Sequence, residues 1–324
     1  MRKIKAAVVG YGFSGRIFQC PFLEAHENFE LSAVVERNSN HSKEDYPNIM
    51  VYKDYMDLLN DKEIELVVIS TPNHLHFKQA KLALEHNKHV LIEKPYAATY
   101  EEALELNQLA EDRGLCSVVY QNRRFDGDFL TVKKLLSDGV RIFEYEAIWD
   151  RFEPEPHSGW QESGEPSNNL LFDLGTHYLD QALQLFGEPL EFYKTTPVLR
   201  DNSKIIDHFT MILTYEDKVV RLKSTMVAAK SDIRYRIHTD KGTYHFYEMG
   251  EQEHQLIAGM KPDDKEYGDN AIYHHYDNDG NKHQHIEKGN YLSFFTMLAD
   301  AIRNGGTPPV TPEEQLRVIQ LLSK

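Results

Sequence analysis

Through the first 120 residues, short apolar runs alternate with segments of helical period: Ile4 to Val9, Leu31 to Val35, Leu66 to Ser70, His89 to Ile92 and Ser117 to Tyr120. Such alternation is the mark of a parallel sheet covered by helices. The clearest helical patterns run from His74 to His86 and from Tyr100 to Arg113, the second preceded by a capping box of Thr99 and Glu102. After about residue 121 the rhythm changes. One helical pattern, Phe172 to Phe186, is followed by runs with period 2 at Phe209 to Tyr215, Val219 to Met226, Arg234 to His238 and Thr243 to Tyr247. The last two flank Thr239-Asp240-Lys241-Gly242, a hairpin turn. The polar stretch Glu251 to Lys288 reads as a long loop. Helical patterns at Asn290 to Arg303 and from Thr311 onward close the sequence; the last reaches Lys324 without a cap, so further chain is expected beyond it. The pattern predicts an α/β domain over residues 1–121 and an α+β domain over 122–324.

Charge narrows the function. Among 324 residues, 36 Lys and Arg face 51 Asp and Glu, a formal charge of −15. A surface this acidic repels phosphate backbones and anionic lipid, so nucleic acid and membrane surfaces are not expected partners. No apolar run approaches the roughly 18 residues of a membrane span. Met1 to Lys5 lead into the first apolar run without a small-residue cleavage site, and Cys20 and Cys116 are the only cysteines. A reducing cytoplasm is the expected location.

The first apolar run ends in Gly10-Tyr11-Gly12-Phe13-Ser14-Gly15, with a helical pattern beginning near Arg16. Glycines at this spacing permit a tight turn, close backbone approach to a pyrophosphate, and tight packing of helix on strand, while the helix start attracts the anion. About 20 residues on, the second strand ends in Glu36, the setting that marks a dinucleotide-binding Rossmann fold. Glu36 could accept hydrogen bonds from ribose hydroxyls, which favours NAD, whereas Arg37 could pair with a 2′-phosphate or stack on adenine, which favours NADP. The lean is to NADP, because Arg37-Asn38-Ser39 also carries neutral donors suited to a phosphate.

Thr71-Pro72-Asn73 and Glu93-Lys94-Pro95 follow two further strands, on the edge where open α/β sheets bind ligands. Lys94 beside a cationic nicotinamide would deprotonate more easily and could hold a substrate hydroxyl. Asp173 and His177 lie four apart on a helix, so the carboxylate could orient an imidazole that takes a proton. Spacing alone favours a plainer reading, in which Asp173, His177, Asp180 and Gln184 form the solvated stripe of an amphipathic helix. His274, His275, His283 and His285 read as exposed loop histidines, and no metal site is expected. Ser14 and Ser158 lack a G-x-S-x-G setting, which excludes an α/β-hydrolase.

Taken in order, the glycine loop, Thr71-Pro72-Asn73-His74, Glu93-Lys94-Pro95 and Asp173-Leu174-Gly175-Thr176-His177 resemble the Gfo/Idh/MocA family of nicotinamide-dependent sugar and inositol oxidoreductases, over nearly the whole chain. The segment Tyr120 to Phe129 is similar to a branch containing NADP-dependent inositol dehydrogenases; that branch carries a small hydroxyl residue where this chain has Glu36, followed by an arginine like Arg37. The resemblance implies an N-terminal Rossmann domain and a C-terminal α+β domain with an open, mainly antiparallel sheet whose outer face forms a homodimer or homotetramer. It further implies that Lys94 orients substrate and relays a proton, that His177 is the acid/base and that Asp173 positions it. Cofactor contacts are expected from Gly10 to Gly15, Glu36, Arg37, Thr71, Asn73, His76, Glu93 and Lys94. Substrate contacts are nominated at Asn122, Arg124, Arg151, Trp160 and Tyr291. The expected activity is NAD(P)-dependent hydride transfer to or from a polyol, cyclitol or sugar; the alternative is a binding protein on the same scaffold that senses the cofactor or a sugar without turnover.

Overall fold

The apolar runs of the first 121 residues become the strands of one parallel sheet: β1 (Ile4–Val9), β2 (Phe29–Val35), β3 (Met50–Tyr52), β4 (Leu66–Ile69), β5 (His89–Ile92) and β6 (Ser117–Val119). Their order is β3-β2-β1-β4-β5-β6. The computed structural model describes residues 2–159, 162–231, 233–269 and 271–324. Every residue of β4 is buried, as expected of a central strand covered on both faces. Helices α1 (Cys20–Ala25), α2 (Ser42–Asp45), α3 (Tyr55–Asn60), α4 (His76–Glu85) and α5 (Tyr100–Asp112) connect the strands. The chain runs from β1 toward one edge and then from β4 toward the other, so a crevice opens outside the carboxyl ends of β1 and β4. The cap of α5 differs from the expected box: Thr99 accepts from the Glu102 N–H at 3.1 Å, but the Glu102 carboxylate returns to Ala98 N at 3.0 Å.

A second compact unit contains β7 (Ile142–Ile148), β8 (Glu191–Thr195), β9 (His208–Thr214), β10 (Val219–Thr225), β11 (Tyr235–Thr239), β12 (Gly242–Phe246), β13 (Ile272–Asp277) and β14 (Gly280–His285). These form a sheet of order β14-β13-β12-β11-β7-β10-β9-β8. Pairing is antiparallel except between β7 and β10. Helices α6 (Gly127–Ser137) and α7 (Thr176–Phe186) belong to this unit, and Tyr178 of α7 packs edge-on against Phe209 of β9.

Two expectations are corrected. The stretch Glu251 to Lys288 is not a long loop, because it holds α8 (Gln252–Ile257) and the β13–β14 hairpin. An edge strand with every residue exposed, as β14 has, carries no apolar alternation to reveal it. Second, the compact units do not follow a single cut after residue 121. The first comprises Met1–Gln121, His254–Tyr267 and Tyr291–Lys324. It therefore includes α9 (Leu292–Asn304) and α10 (Pro312–Ser323). Phe295 of α9 stacks on Phe22 at 5.2 Å, and Phe294 meets Tyr120 at 4.9 Å. From α10, the buried Gln315 donates to Asn107 at 2.7 Å and to the Ser117 carbonyl at 3.1 Å, and accepts from Val119 N at 3.2 Å. Burying each such aromatic contributes about 1.5–3 kcal/mol, so packing overrides position along the chain.

Candidate functional site

The glycine loop closes the carboxyl end of β1, and its glycines do different work. Gly10 has φ +96°, and a Cβ there would sit 2.7 Å from the Ser70 carbonyl oxygen. On Gly15 a Cβ would run into the Gly10 carbonyl, so this glycine allows the following turn to pack on the strand. Gly12 is the contrast: its Cβ would meet no protein atom within 4 Å. The opening beside Gly12 is space that a dinucleotide pyrophosphate fits, and only the absence of a side chain keeps it clear. The segment after the loop starts as a π-helical turn, Gly15–Gln19, and only then becomes α1. Ser14 donates a short hydrogen bond to Glu93, and Gln19 donates to the same carboxylate oxygen at 2.7 Å. The loop after β1 is thereby tied to the loop after β5. Burial pushes the Glu93 carboxyl up, against the pull of these donors. Tyr11 donates to Asp45 at 2.6 Å, and Phe13 stays exposed at the surface.

Lys94 stands at the end of β5, partly exposed, with its peptide to Pro95 in the cis form. Thr71 and Asn73 occupy the matching place after β4, where Thr71 donates to Gln79 at 2.6 Å. His76 requires a correction. It is 1% exposed, with one ring nitrogen 2.9 Å from the Pro95 carbonyl and the other 2.8 Å from the Thr71 carbonyl. A ring so enclosed cannot touch a cofactor; it joins the two loops that would. Glu36 also departs from a ribose-binding role, since its buried carboxylate is filled by donors from residues 39 to 42. Arg37, next to it, is exposed.

In the second unit, Asp173 lies in a π-helical turn, Leu171–Gly175, that leads into α7 and His177. π-Turns often occur at functional sites because they redirect side chains within a helix. Asp173 pairs with Arg151 at 3.1 Å. The solvated-stripe reading of this helix fails at its middle: Asp173 and Gln184 are half-buried, but His177 is 4% exposed, Asp180 2% and the neighbouring Gln181 1%. Their partners come from residues distant in sequence. Asp180 receives Arg124, and Gln181 donates to the Arg123 carbonyl at 2.9 Å and accepts from the Tyr235 hydroxyl at 3.0 Å. Arg124 is thus committed to a buried ion pair rather than offered to substrate. Asn122 lies beside it in the same buried turn, Asn122–Phe125.

Tyr291 is also corrected. It is fully buried in the first unit against Phe18 and Phe22, so it is a core aromatic and not a substrate contact. Trp160 lies outside the described residues. Sequence reading missed Trp149, whose ring has Arg123, Arg234 and Arg151 at 4.7, 5.0 and 5.9 Å. It also missed Arg234, buried and bound to Asp128 and the Tyr178 hydroxyl. A tryptophan at the end of β7 offered no motif, and an arginine at a strand start reads as solvated.

Comparison with known proteins agrees with this construction. The NAD-binding Rossmann-fold profile of the Gfo/Idh/MocA oxidoreductase family matches residues 4–121, and the family's C-terminal alpha/beta domain profile matches residues 133–323. The chain is 33% identical to scyllo-inositol 2-dehydrogenase (NADP(+)) IolW of Bacillus subtilis, over 98% of this chain and 92% of that protein. It is 34% identical to the uncharacterized oxidoreductase YdgJ of Escherichia coli, over 98% and 94%. Among solved structures, the Bacillus subtilis oxidoreductase YvaA superimposes with a TM-score of 0.92 at 33% identity, covering 99% of this chain and 95% of that one. The glycine loop with its open space at Gly12, the two tied loops beyond it and these matches lead to one conclusion: the chain belongs to the Gfo/Idh/MocA family and is an NAD(P)-dependent oxidoreductase.

Proposed function

We propose that the protein is an NADP-preferring dehydrogenase or reductase acting on a secondary alcohol or ketone of a cyclitol, polyol or sugar. When bound, the nicotinamide supplies or accepts the hydride. Lys94 then hydrogen-bonds the substrate oxygen, His177 takes or returns its proton, and Asp173, held by Arg151, orients the imidazole. The observation that carries the reading is the buried polar face around His177. Asp180 and Gln181 meet the cost of that burial through Arg124, Arg123 and Tyr235, which fix the helix that carries His177, and Arg151 holds Asp173 one turn before it.

Substrate class is supported by the relatives' names, an inositol dehydrogenase and a levoglucosan dehydrogenase, the latter 31% identical over 42% of this chain. Cofactor preference is supported by the occupied Glu36 carboxylate beside the exposed Arg37. Self-association through the sheet of the second unit belongs to the same proposal, supported by exposed Tyr193 on β8 and Ile272 on β13; light scattering of the purified protein tests it, and a monomer at micromolar concentration rejects it. Among the described residues, no helix is long and apolar enough to cross a membrane.

The deciding experiment assays a panel of inositols and aldoses with NADP and NAD separately, on the parent and on Arg37→Ala. Substrate-dependent turnover that is more efficient with NADP, and loses more with NADP in the variant, supports the proposal. Absence of turnover across the panel removes the substrate class. An Arg37→Ala loss that is equal with both cofactors removes the NADP preference.

A further inference from the structure

An acidic residue at the end of the second strand of a Rossmann fold ordinarily reaches the adenosine ribose, and its charge there opposes a 2′-phosphate. Glu36 stands at that position, yet its carboxylate is turned onto its own loop. One oxygen accepts from Ser39 Oγ at 2.7 Å and from His41 N at 3.0 Å. The other accepts from Ser42 N at 3.0 Å and from the Ser42 hydroxyl in a short bond. A carboxylate offers about four acceptor sites, so little capacity remains for ribose hydroxyls. Burial pushes this carboxyl up, but the donors outweigh it and hold it below the usual range, so the group is ionised inside the loop.

Two further ties fix the same segment. Lys53 donates to the Glu36 carbonyl at 3.1 Å, to Asn40 Oδ1 at 2.8 Å and to the Ser39 carbonyl. Asp45, at the end of α2, accepts from Tyr11 at 2.6 Å and pairs with Arg16 at 3.2 Å, which anchors the segment to the glycine loop. Arg37 and Asn38 are left exposed at the bend, and no ion pair engages Arg37 among the described residues.

We propose that Glu36 is a positioning residue for NADP: by drawing residues 39 to 42 onto its carboxylate it withdraws its charge from the ribose and holds Arg37 where a ribose 2′-phosphate is read. This rests on the cofactor preference proposed above. It reverses the sign usually attached to an acid at this place, because removing Glu36 weakens NADP instead of admitting it.

The test measures dissociation constants of NADPH and NADH by calorimetric titration for the parent, Glu36→Gln, Ser39→Ala and Arg37→Ala. Glu36→Gln is expected to weaken NADPH by about tenfold or more, the scale of a lost charge-assisted contact, and NADH by no more than about threefold. Ser39→Ala, which removes one of the four donors and leaves the carboxylate of Glu36 in place, should move the ratio in the same direction by a smaller factor. Tighter NADPH binding in Glu36→Gln, equal losses for both cofactors, or an unchanged ratio in Ser39→Ala overturns the proposal. If Arg37→Ala is selective for NADPH while Glu36→Gln is not, the cofactor preference stands and the role of Glu36 alone falls. If Arg37→Ala loses equally with both, the preference itself falls and the proposal with it.

Discussion

Arg124 and Asp180 form a two-pronged ion pair, with Nε donating at 2.8 Å and an Nη at 2.5 Å, and both side chains are almost completely buried. The pair joins the turn Asn122–Phe125 to α7 less than one helical turn after His177. In a dry setting each charge depends on the other, because neither has water to replace its partner. Truncating one side, as in Arg124→Ala or Asp180→Ala, is therefore expected to destabilise the protein by about 3–5 kcal/mol. Urea denaturation checks this; a loss below about 1 kcal/mol, the scale of an exposed pair, would show that the site is wet.

Replacements of Lys94 and His177 are expected to cost activity and not cofactor binding. Replacing either by Ala should lower turnover by at least about a hundredfold, the low end for losing a positioned acid or base. Dinucleotide affinity should stay largely unchanged, since neither side chain holds the pyrophosphate. Steady-state kinetics together with a cofactor titration separate the two effects, and activity within a few-fold of the parent in both variants rejects the assignment.

The glycine loop allows a paired prediction. Gly12→Val should leave the fold intact, because its side chain meets no protein atom at Cβ, and should abolish NAD(P) binding by filling the open space. Gly15→Val should lower thermal stability outright, because its Cβ collides with the Gly10 carbonyl. Melting curves and calorimetry on both variants check it. A folded Gly12→Val with unchanged cofactor affinity would place the phosphate elsewhere.

Acid sensitivity should report on Glu36. Its donors hold the folded-state value below the ordinary glutamate value of about 4.3, so the folded protein binds fewer protons there than the unfolded chain does. The stabilisation is complete above that ordinary value and is lost as pH falls through the lower, folded-state value. The stability difference between the parent and Glu36→Gln should thus be largest near neutrality and shrink in acid. Denaturant midpoints of both proteins at pH 7 and pH 3 provide the measurement, and a gap that widens in acid contradicts the sign.

The sequence by itself determined what is local. Gly10, Gly12 and Gly15 specify a turn, an opening and a close approach through backbone geometry alone, and the apolar runs at Ile4–Val9 and Leu66–Ile69 announce buried parallel strands because both of their faces must leave water. Tertiary structure decided everything that depends on what lies opposite. A helical period shows that α7 has a polar face, but the same stripe is solvated against water and buried against Arg124 and Tyr235, and that partner is set by chain folding. Tyr291 became core instead of site because α9 packs with Phe22, some 270 residues earlier in the chain. Glu36 shows the limit even within six residues: its type fits a ribose acceptor, but where the carboxylate points was decided when Ser39, His41 and Ser42 brought their N–H and O–H groups to it. Periodicity and motif carry residue type and spacing, while the direction of a side chain and the identity of its neighbour are properties of the packed molecule.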